Sequence, residues 1–287
     1  MYSPIHLRSM VWLFVLRVLA LLLIALPGSS SGRRRWVAYY SDKAPVEDFR
    51  DYGLVVFDSD RQPPLAPLAA QGRILLGYLS LGEIADGRAY FQEVKQEGIL
   101  AGENPTWPGS YYVDIRDQRW RRRVIERLVP EILARGFQGV FLDTLDNPVE
   151  LERRDPKTYR GMAAAATNLI KALRQSFPSI TIMMNRGYGL LPDVAGSIDI
   201  VLGESVYSTY DFERKTYRLV STEDYREQVR LLKQARKRHP GLRVCSLDYW
   251  DPIDLKGIRR IYREERANGF EPYVATIGLD RIVEEPR

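Results

Sequence analysis

Histidine and cysteine are almost missing from this chain of 287 residues, which holds two histidines, His6 and His239, and one cysteine, Cys245. Multi-histidine zinc or iron sites are excluded, and so is an internal disulfide. A Ser/His/Asp site would have to be built on His239, which sits in Lys237-Arg238-His239-Pro240-Gly241, a sequence that ends a helix. Cys245 lies in the strand-like run Arg243 to Asp248 and reads as a small buried residue; as a nucleophile it would need a base. No Gly-x-x-x-x-Gly-Lys-Ser/Thr occurs, and no glycine-rich turn follows the first strand, so phosphoryl transfer and an open dinucleotide-binding sheet are disfavoured. Chemistry therefore falls to Asp, Glu, Tyr, Lys or Arg.

Charge is also scarce as a signal. The formal net charge is +5, and removing residues 1–32 leaves 40 basic against 37 acidic side chains, a balance of +3. Nothing in that balance calls for a nucleic-acid partner. The densest basic run, Arg119 to Arg123, opens an expected helix and reads as a solvated face.

Residues 1–32 stand apart. Arg8 precedes an apolar run from Met10 to Leu26, and Pro27-Gly28-Ser29-Ser30-Ser31-Gly32 follows, the order of a secretory signal. Arg17 interrupts the run and leaves Val18 to Leu26 as its apolar core, short for a permanent span. Cleavage and export to the periplasm or the exterior are expected. The alternative is an uncleaved anchor that attaches the protein to a membrane, with Arg33, Arg34 and Arg35 beside it.

Residues 33–287 read as one domain, with 45% hydrophobic and 28% charged residues over the chain. Short apolar runs alternate with amphipathic stretches, which predicts strands at Trp36 to Tyr40, Leu54 to Asp58, Ile74 to Leu81, Gly139 to Asp143, Thr181 to Asn185, Ile198 to Gly203, Val244 to Asp248 and Pro272 to Ile277. Helices are expected at Gln118 to Arg135, Thr158 to Gln175, Thr222 to Arg238 and Asp254 to Asn268. Two helix-to-strand junctions are alike, Ala134-Arg135-Gly136-Phe137 and Ala267-Asn268-Gly269-Phe270. Eight βα units in a domain of this length predict an α/β fold of the (β/α)8 TIM-barrel type. The long connection Glu83 to Asp117 should hold a short helix near Ala89 to Glu97, an extended segment at Tyr111 to Ile115, and a loop with Trp107 over the barrel mouth.

Such barrels carry their active sites at the carboxyl ends of the strands. There this chain places Asp58, Asp60, Glu83, Asp143, Asp146, Glu204 and Asp248, with Asn185 and Arg186 on the fifth strand. Asp58, Asp60, Asp146 and Asp280 also read as helix caps or ion-pair partners. Asp143 and Glu204 stand out because each directly ends an apolar strand, where an unpaired carboxyl is costly to bury. Converging carboxyls suit glycoside hydrolysis, at about 5 to 5.5 Å for retention and about 6.5 to 9.5 Å for inversion. Clustered acids also bind magnesium, the minor alternative. Tyr40, Tyr78, Tyr207, Tyr249 and Trp250, also at strand ends, and Trp107 could stack on sugar rings.

The segment Gly136-Phe137-Gln138-Gly139-Val140-Phe141-Leu142-Asp143-Thr144-Leu145-Asp146, with Gly77-Tyr78-Leu79-Ser80-Leu81-Gly82-Glu83 before it and Asn185-Arg186-Gly187 and Gly203-Glu204-Ser205 after it, resembles the endo-α-1,4-polygalactosaminidase-like glycoside hydrolases of families 114 and 166, including the hydrolase domain of Pel exopolysaccharide processing. The likeness runs in order from Trp36 to Asp280. It implies a TIM barrel that cleaves α-1,4 links in galactosamine- or N-acetylgalactosamine-rich polysaccharide, with Asp143 as nucleophile and Glu204 as acid/base. Tyr78, Glu83, Asn185, Arg186 and Asp248 would orient substrate, together with Tyr40, Asp58, Asp146, Tyr207, Tyr249 and Trp250. No room remains for a further deacetylase domain, which sets a biosynthetic role in doubt. A monomer that needs neither metal nor cofactor is expected. The alternative is a carbohydrate-binding barrel without turnover in a polysaccharide-assembly or biofilm system.

Overall fold

A computed structural model describes residues 35–287; the leader or anchor expected over residues 1–32, with His6 and Arg17, lies outside the described residues. Eight short strands form the frame: β1 (Trp36–Tyr39), β2 (Leu54–Phe57), β3 (Ile74–Ser80), β4 (Gly139–Asp143), β5 (Thr181–Asn185), β6 (Ile200–Glu204), β7 (Arg243–Tyr249) and β8 (Glu271–Ala275). Neighbours pair in that order and every ladder is parallel. The last strand meets the first without a ladder. Trp36 Nε1 donates to the Glu271 carbonyl at 2.8 Å, and the Tyr40 amide to the Leu279 carbonyl at 2.7 Å. The product is a nearly closed (β/α)8 barrel, and its strands are apolar runs because both of their faces are covered.

The outer helices follow their punctuation. Thr222–Arg238 starts at Ser221, whose side chain accepts from the Asp224 amide at 3.0 Å. Leu255–Ala267 starts at Asp254, which accepts from the Gly257 amide at 3.0 Å. The two similar junctions fold alike. Helices end at Ala134 and Ala267, Gly136 and Gly269 take φ of 106° and 77°, and Phe137 and Phe270 are buried ahead of β4 and β8. Left-handed backbone at that position favours glycine, which stops the helix and turns the chain toward the sheet.

Differences from expectation have local causes. The stretch Gln118 to Ala134 is helical throughout, but its middle, Val124–Leu128, is wound as a π-helix just before Pro130, which lacks a backbone donor. Its basic run is not simply solvated: Arg123 bridges Glu93 and Glu97, both at 2.6 Å, and Arg119 pairs with Asp117 at 2.6 Å. Helix Met162–Ser176 begins later than Thr158, because Arg116 holds the Thr158 and Arg160 carbonyls in a turn, each at 3.0 Å. Helix Asp146–Arg154 was not expected, since Pro148, Val149 and Leu151 in nine residues make too short a pattern to set a helical period.

Two excursions leave the carboxyl ends of the barrel strands. After β3 come strands Glu83–Ala85, Leu100–Glu103 and Ser110–Val113, joined in an antiparallel sheet with helix Phe91–Gln96 between the first two. After β6 comes a hairpin of Ser208–Asp211 with Thr216–Leu219, which the sequence pattern did not indicate. Among the described residues no helix is long and apolar enough to cross a membrane.

Candidate active site

Three neighbouring strands end in polar residues that touch. Asn185, last in β5, donates from Nδ2 to Asp143 Oδ1 of β4 at 2.9 Å and to Glu204 Oε2 of β6 at 2.6 Å. With a carboxyl on each side, only the amide nitrogen can face both. Both bonds share that nitrogen, so the two oxygens lie no more than 5.5 Å apart, the sum of the bond lengths. Tyrosines complete the carboxyls: Tyr78 of β3 donates to Asp143 Oδ2 at 2.8 Å, and Tyr249 of β7 to Glu204 Oε1 at 2.5 Å. Tyr40, just past β1, packs edge-on against Tyr78 with ring centroids 5.5 Å apart.

The backbone after each of the three central residues is unusual. Thr144, Arg186 and Ser205 follow Asp143, Asn185 and Glu204, and their φ angles are 64°, 49° and 54°. Residues with a Cβ avoid that region, and holding one there costs about 1–3 kcal/mol. Tertiary bonds fix all three. The Thr144 hydroxyl accepts from the Gly82 amide at 2.9 Å, the Arg186 amide reaches the Leu202 carbonyl at 2.8 Å, and the Ser205 amide reaches the Leu247 carbonyl at 2.7 Å. Strained backbone thus recurs at three adjacent strand ends, and such strain is concentrated at functional sites.

Burial raises the pKa of Glu204, and the nearby Asp143 raises it further; the hydrogen bonds from Tyr249 and Asn185 and the charge of Arg186 only partly oppose this. Glu204 thus keeps its proton to higher pH than an ordinary glutamate. Burial also pushes Tyr40, Tyr78 and Tyr249 well above the usual phenol range, so all three stay neutral and keep their hydroxyl protons.

Around this centre, Asp58 is gripped by Arg88 through two bonds of 3.2 and 2.9 Å, and the same guanidinium lies 5.5 Å from the Tyr78 ring centroid. Asp60 takes Arg88 and Arg135, each at 2.6 Å. Asp146, in the first turn of its helix, pairs with Arg186 at 2.8 Å, both partly exposed. Asp280 lies 3.7 Å from Arg281.

Four residues expected at the substrate have other partners in the protein. Glu83 is a buried tie, its Oε2 accepting from Asn104 at 2.9 Å and Asn147 at 2.6 Å. Tyr207 turns outward to the helices, 5.2 Å from the Tyr225 ring and under Arg260. Trp250 donates to Asp254 at 3.0 Å and packs with Ile258 at the start of its helix. Asp248 is 0% exposed, and its Oδ1 accepts from the Tyr207 and Ser208 amides, both at 2.7 Å. The alternation of β7 explains this, because Tyr249 faces the barrel interior and Asp248 therefore faces the helices.

Behind Asp248, Glu265 of helix Leu255–Ala267 is also 0% exposed, and neither of its oxygens has a partner among the described residues. Burial raises the pKa of both carboxyls, and the nearby Asp248 raises that of Glu265 further. A folded pKa above the unfolded one makes stability fall as pH rises past the ordinary carboxylate value of about 4.3. Glu265→Gln is therefore expected to melt a few degrees above the wild type at pH 8, with the gap closing toward pH 4. Equal melting temperatures at pH 8 would contradict this.

Sequence reasoning missed Arg88, Asn104 and Asn147, which hold Asp58 and Glu83, and Tyr188, whose hydroxyl donates to Gln228 at 2.8 Å while Gln228 donates to the Ser205 carbonyl at 3.0 Å. Arg88 lies between a turn and a short helix, with no pattern to single it out. The described histidine, His239, caps helix Thr222–Arg238, and Cys245 is buried within β7.

Comparisons with known proteins bear on the family and the fold. The sequence model of glycoside-hydrolase family GH114 matches residues 27–287. An uncharacterized protein of Deinococcus radiodurans is 29% identical over 235 residues, spanning 79% of this chain and 73% of that one. The glycoside hydrolase domain of PelA from Pseudomonas aeruginosa superposes with a TM-score of 0.76 at 26% identity, covering 88% of this chain and 98% of the domain. Ega3 of Aspergillus fumigatus, solved in complex with galactosamine, shares the fold at a TM-score of 0.62 and 17% identity, over 87% of this chain and 94% of that one.

Proposed function

This chain belongs to glycoside-hydrolase family GH114, and on that premise we propose that it is an exported enzyme that cuts α-1,4 links in galactosamine- or N-acetylgalactosamine-rich polysaccharide with retention of configuration. The observation that carries the mechanism is the Asn185 amide held between Asp143 and Glu204, which keeps their facing oxygens within 5.5 Å. That bound favours retention, at about 5–5.5 Å, over inversion, at about 6.5–9.5 Å. The resemblance of the strand-end motifs supplies the sugar and the linkage, and the order of residues 1–32 supplies export.

Glu204 acts as the acid. Asn185 Nδ2 can only donate, so Oε2 must accept, and the proton is carried on Oε1, the oxygen to which the Tyr249 hydroxyl donates. As that proton passes to the glycosidic oxygen, the bond to the anomeric carbon breaks. Asp143 attacks the same carbon and forms a glycosyl-enzyme. Glu204, now a carboxylate, takes a proton from water as the water displaces Asp143, which restores both groups. Asn185 and Tyr78 hold the Asp143 oxygens throughout.

The test is to incubate the purified protein with fully acetylated and partly deacetylated α-1,4-galactosaminan and follow the products by mass spectrometry and NMR. Oligosaccharides whose reducing ends appear first as the α anomer are expected. No cleavage of either polymer would overturn the substrate, and ends that appear first as β would overturn retention. Amino-terminal sequencing of the native protein tests export, with cleavage expected between Ser29 and Gly32.

A further inference from the structure

We propose that Trp107 and Phe212 form a sugar-stacking subsite remote from the reacting bond, which grips a long polysaccharide chain and leaves short fragments unheld. This rests on the polysaccharide reading above for its occupant, and on a separate set of observations for its place.

Trp107 sits in the turn between Leu100–Glu103 and Ser110–Val113, in the excursion after β3. Phe212 sits in the hairpin turn after β6. The two rings meet edge to face, with centroids 5.0 Å apart and planes at 83°. The contact continues as a line of rings: Phe212 to Tyr210 at 5.2 Å, then Tyr210 to Tyr217 at 5.1 Å, where the Tyr217 hydroxyl accepts from the Ile277 amide at 3.4 Å, just past β8. One aromatic arch thus links the ends of β3, β6 and β8, at the same end of the barrel as Asp143 and Glu204.

The arch leaves its outer rings bare. Trp107 is 49% exposed and Phe212 52%, and they are the only large aromatics so exposed among the described residues. In an edge-to-face pair one ring offers its edge and keeps both faces, while the other gives up one face and keeps its second, and the apolar CH face of a sugar ring stacks on such a surface. The rings are also held in advance. Asn104 accepts from the Thr106 amide at 2.9 Å and donates to Glu83 at 2.9 Å, while Glu103 accepts from the Gly109 amide at 2.8 Å. On the other side, Asp211 accepts from the Glu213 and Arg214 amides at 3.1 and 2.9 Å. Prearranged loops lose little freedom on binding, which is what a subsite needs and an idle apolar contact does not.

The test uses the full chain, α-1,4-galactosaminan as polymer and its trisaccharide as fragment. Trp107→Ala and Phe212→Ala are each expected to raise KM on the polymer about fivefold to tenfold, with kcat changed less than about twofold, while Trp107→Phe retains most of the polymer affinity. On the trisaccharide, kcat/KM is expected to fall by less than about twofold, and melting temperatures to match the wild type. Equal losses on polymer and trisaccharide, or no loss on the polymer, overturn the subsite. Gel electrophoresis through the same polymer separates this from the hydrolysis reading. A wild type that is retarded but cuts nothing, with retardation lost in both alanine variants, keeps the subsite and removes the activity. Retardation unchanged in both variants, or absent in the wild type, overturns the subsite.

Discussion

Asp143→Asn is expected to lower kcat on galactosaminan by about 10⁴-fold or more, and Glu204→Gln by about 10²- to 10⁴-fold. The two losses differ in kind. Asp143 makes the bond to the anomeric carbon, so no change in leaving group restores the first step without it. Glu204 only supplies a proton there, so a substrate whose leaving group departs without one, such as a glycosyl fluoride, should still load Asp143 in the Glu204→Gln variant. Mass spectrometry of the intact protein should then show a glycosyl adduct on Glu204→Gln and none on Asp143→Asn. Wild-type turnover in Asp143→Asn, or failure of both variants to load the fluoride, would remove the two-carboxyl assignment. The pH profile gives a second reading. Because burial and Asp143 raise the pKa of Glu204, the alkaline limb of kcat/KM belongs to loss of its proton, and Glu204→Gln should lack that limb.

Asn185→Ala is expected to lower kcat about 10²-fold and to move the alkaline limb to higher pH. The sign follows from the contact: the amide N–H stabilises ionised Glu204, so removing it leaves the carboxyl still more reluctant to lose its proton. Asn185→Asp keeps the shape but turns donors at 2.9 and 2.6 Å into a third acid beside the other two. Its limb should move further in the same direction. Profiles of kcat/KM from pH 4 to 10 check both variants. A limb that stays fixed or moves down would mean that Asn185 does not bridge the carboxyls in the working enzyme.

The frame was legible because barrel strands are written as apolar runs and the outer helices carry their own caps, as at Ser221 and Asp254. Asp143, Asn185 and Glu204 were legible for a related reason, since each is a polar residue at the end of such a run. The depth and direction of other side chains were not. Asp248 and Tyr249 are neighbours in sequence, yet the pleat sends the tyrosine to Glu204 at 2.5 Å and the aspartate to the helices. The sequence pattern names both, because it reports which residues end the strand and not which face each one takes. Glu83 looked like a free acid, and the ion-pair reading of Asp58 had no named partner, because Asn104, Asn147 and Arg88 come from segments whose course no periodicity reports. The hairpin with Phe212 was hidden too, because two four-residue strands in a polar stretch make no distinctive alternation.

The seam between β8 and β1 bears on the order of events in the life of the chain. Trp36 finds the Glu271 carbonyl 235 residues later, so the first strand takes its place only when the last has been made. Contacts of such sequence separation form slowly, since a large loop must close before they return anything. A chain threaded through a membrane with its amino end leading would therefore stay an open, unfinished sheet until Glu271 and Leu279 had crossed. The barrel is closed by its own tail, so a chain moved in that way would become compact only once its transit was over.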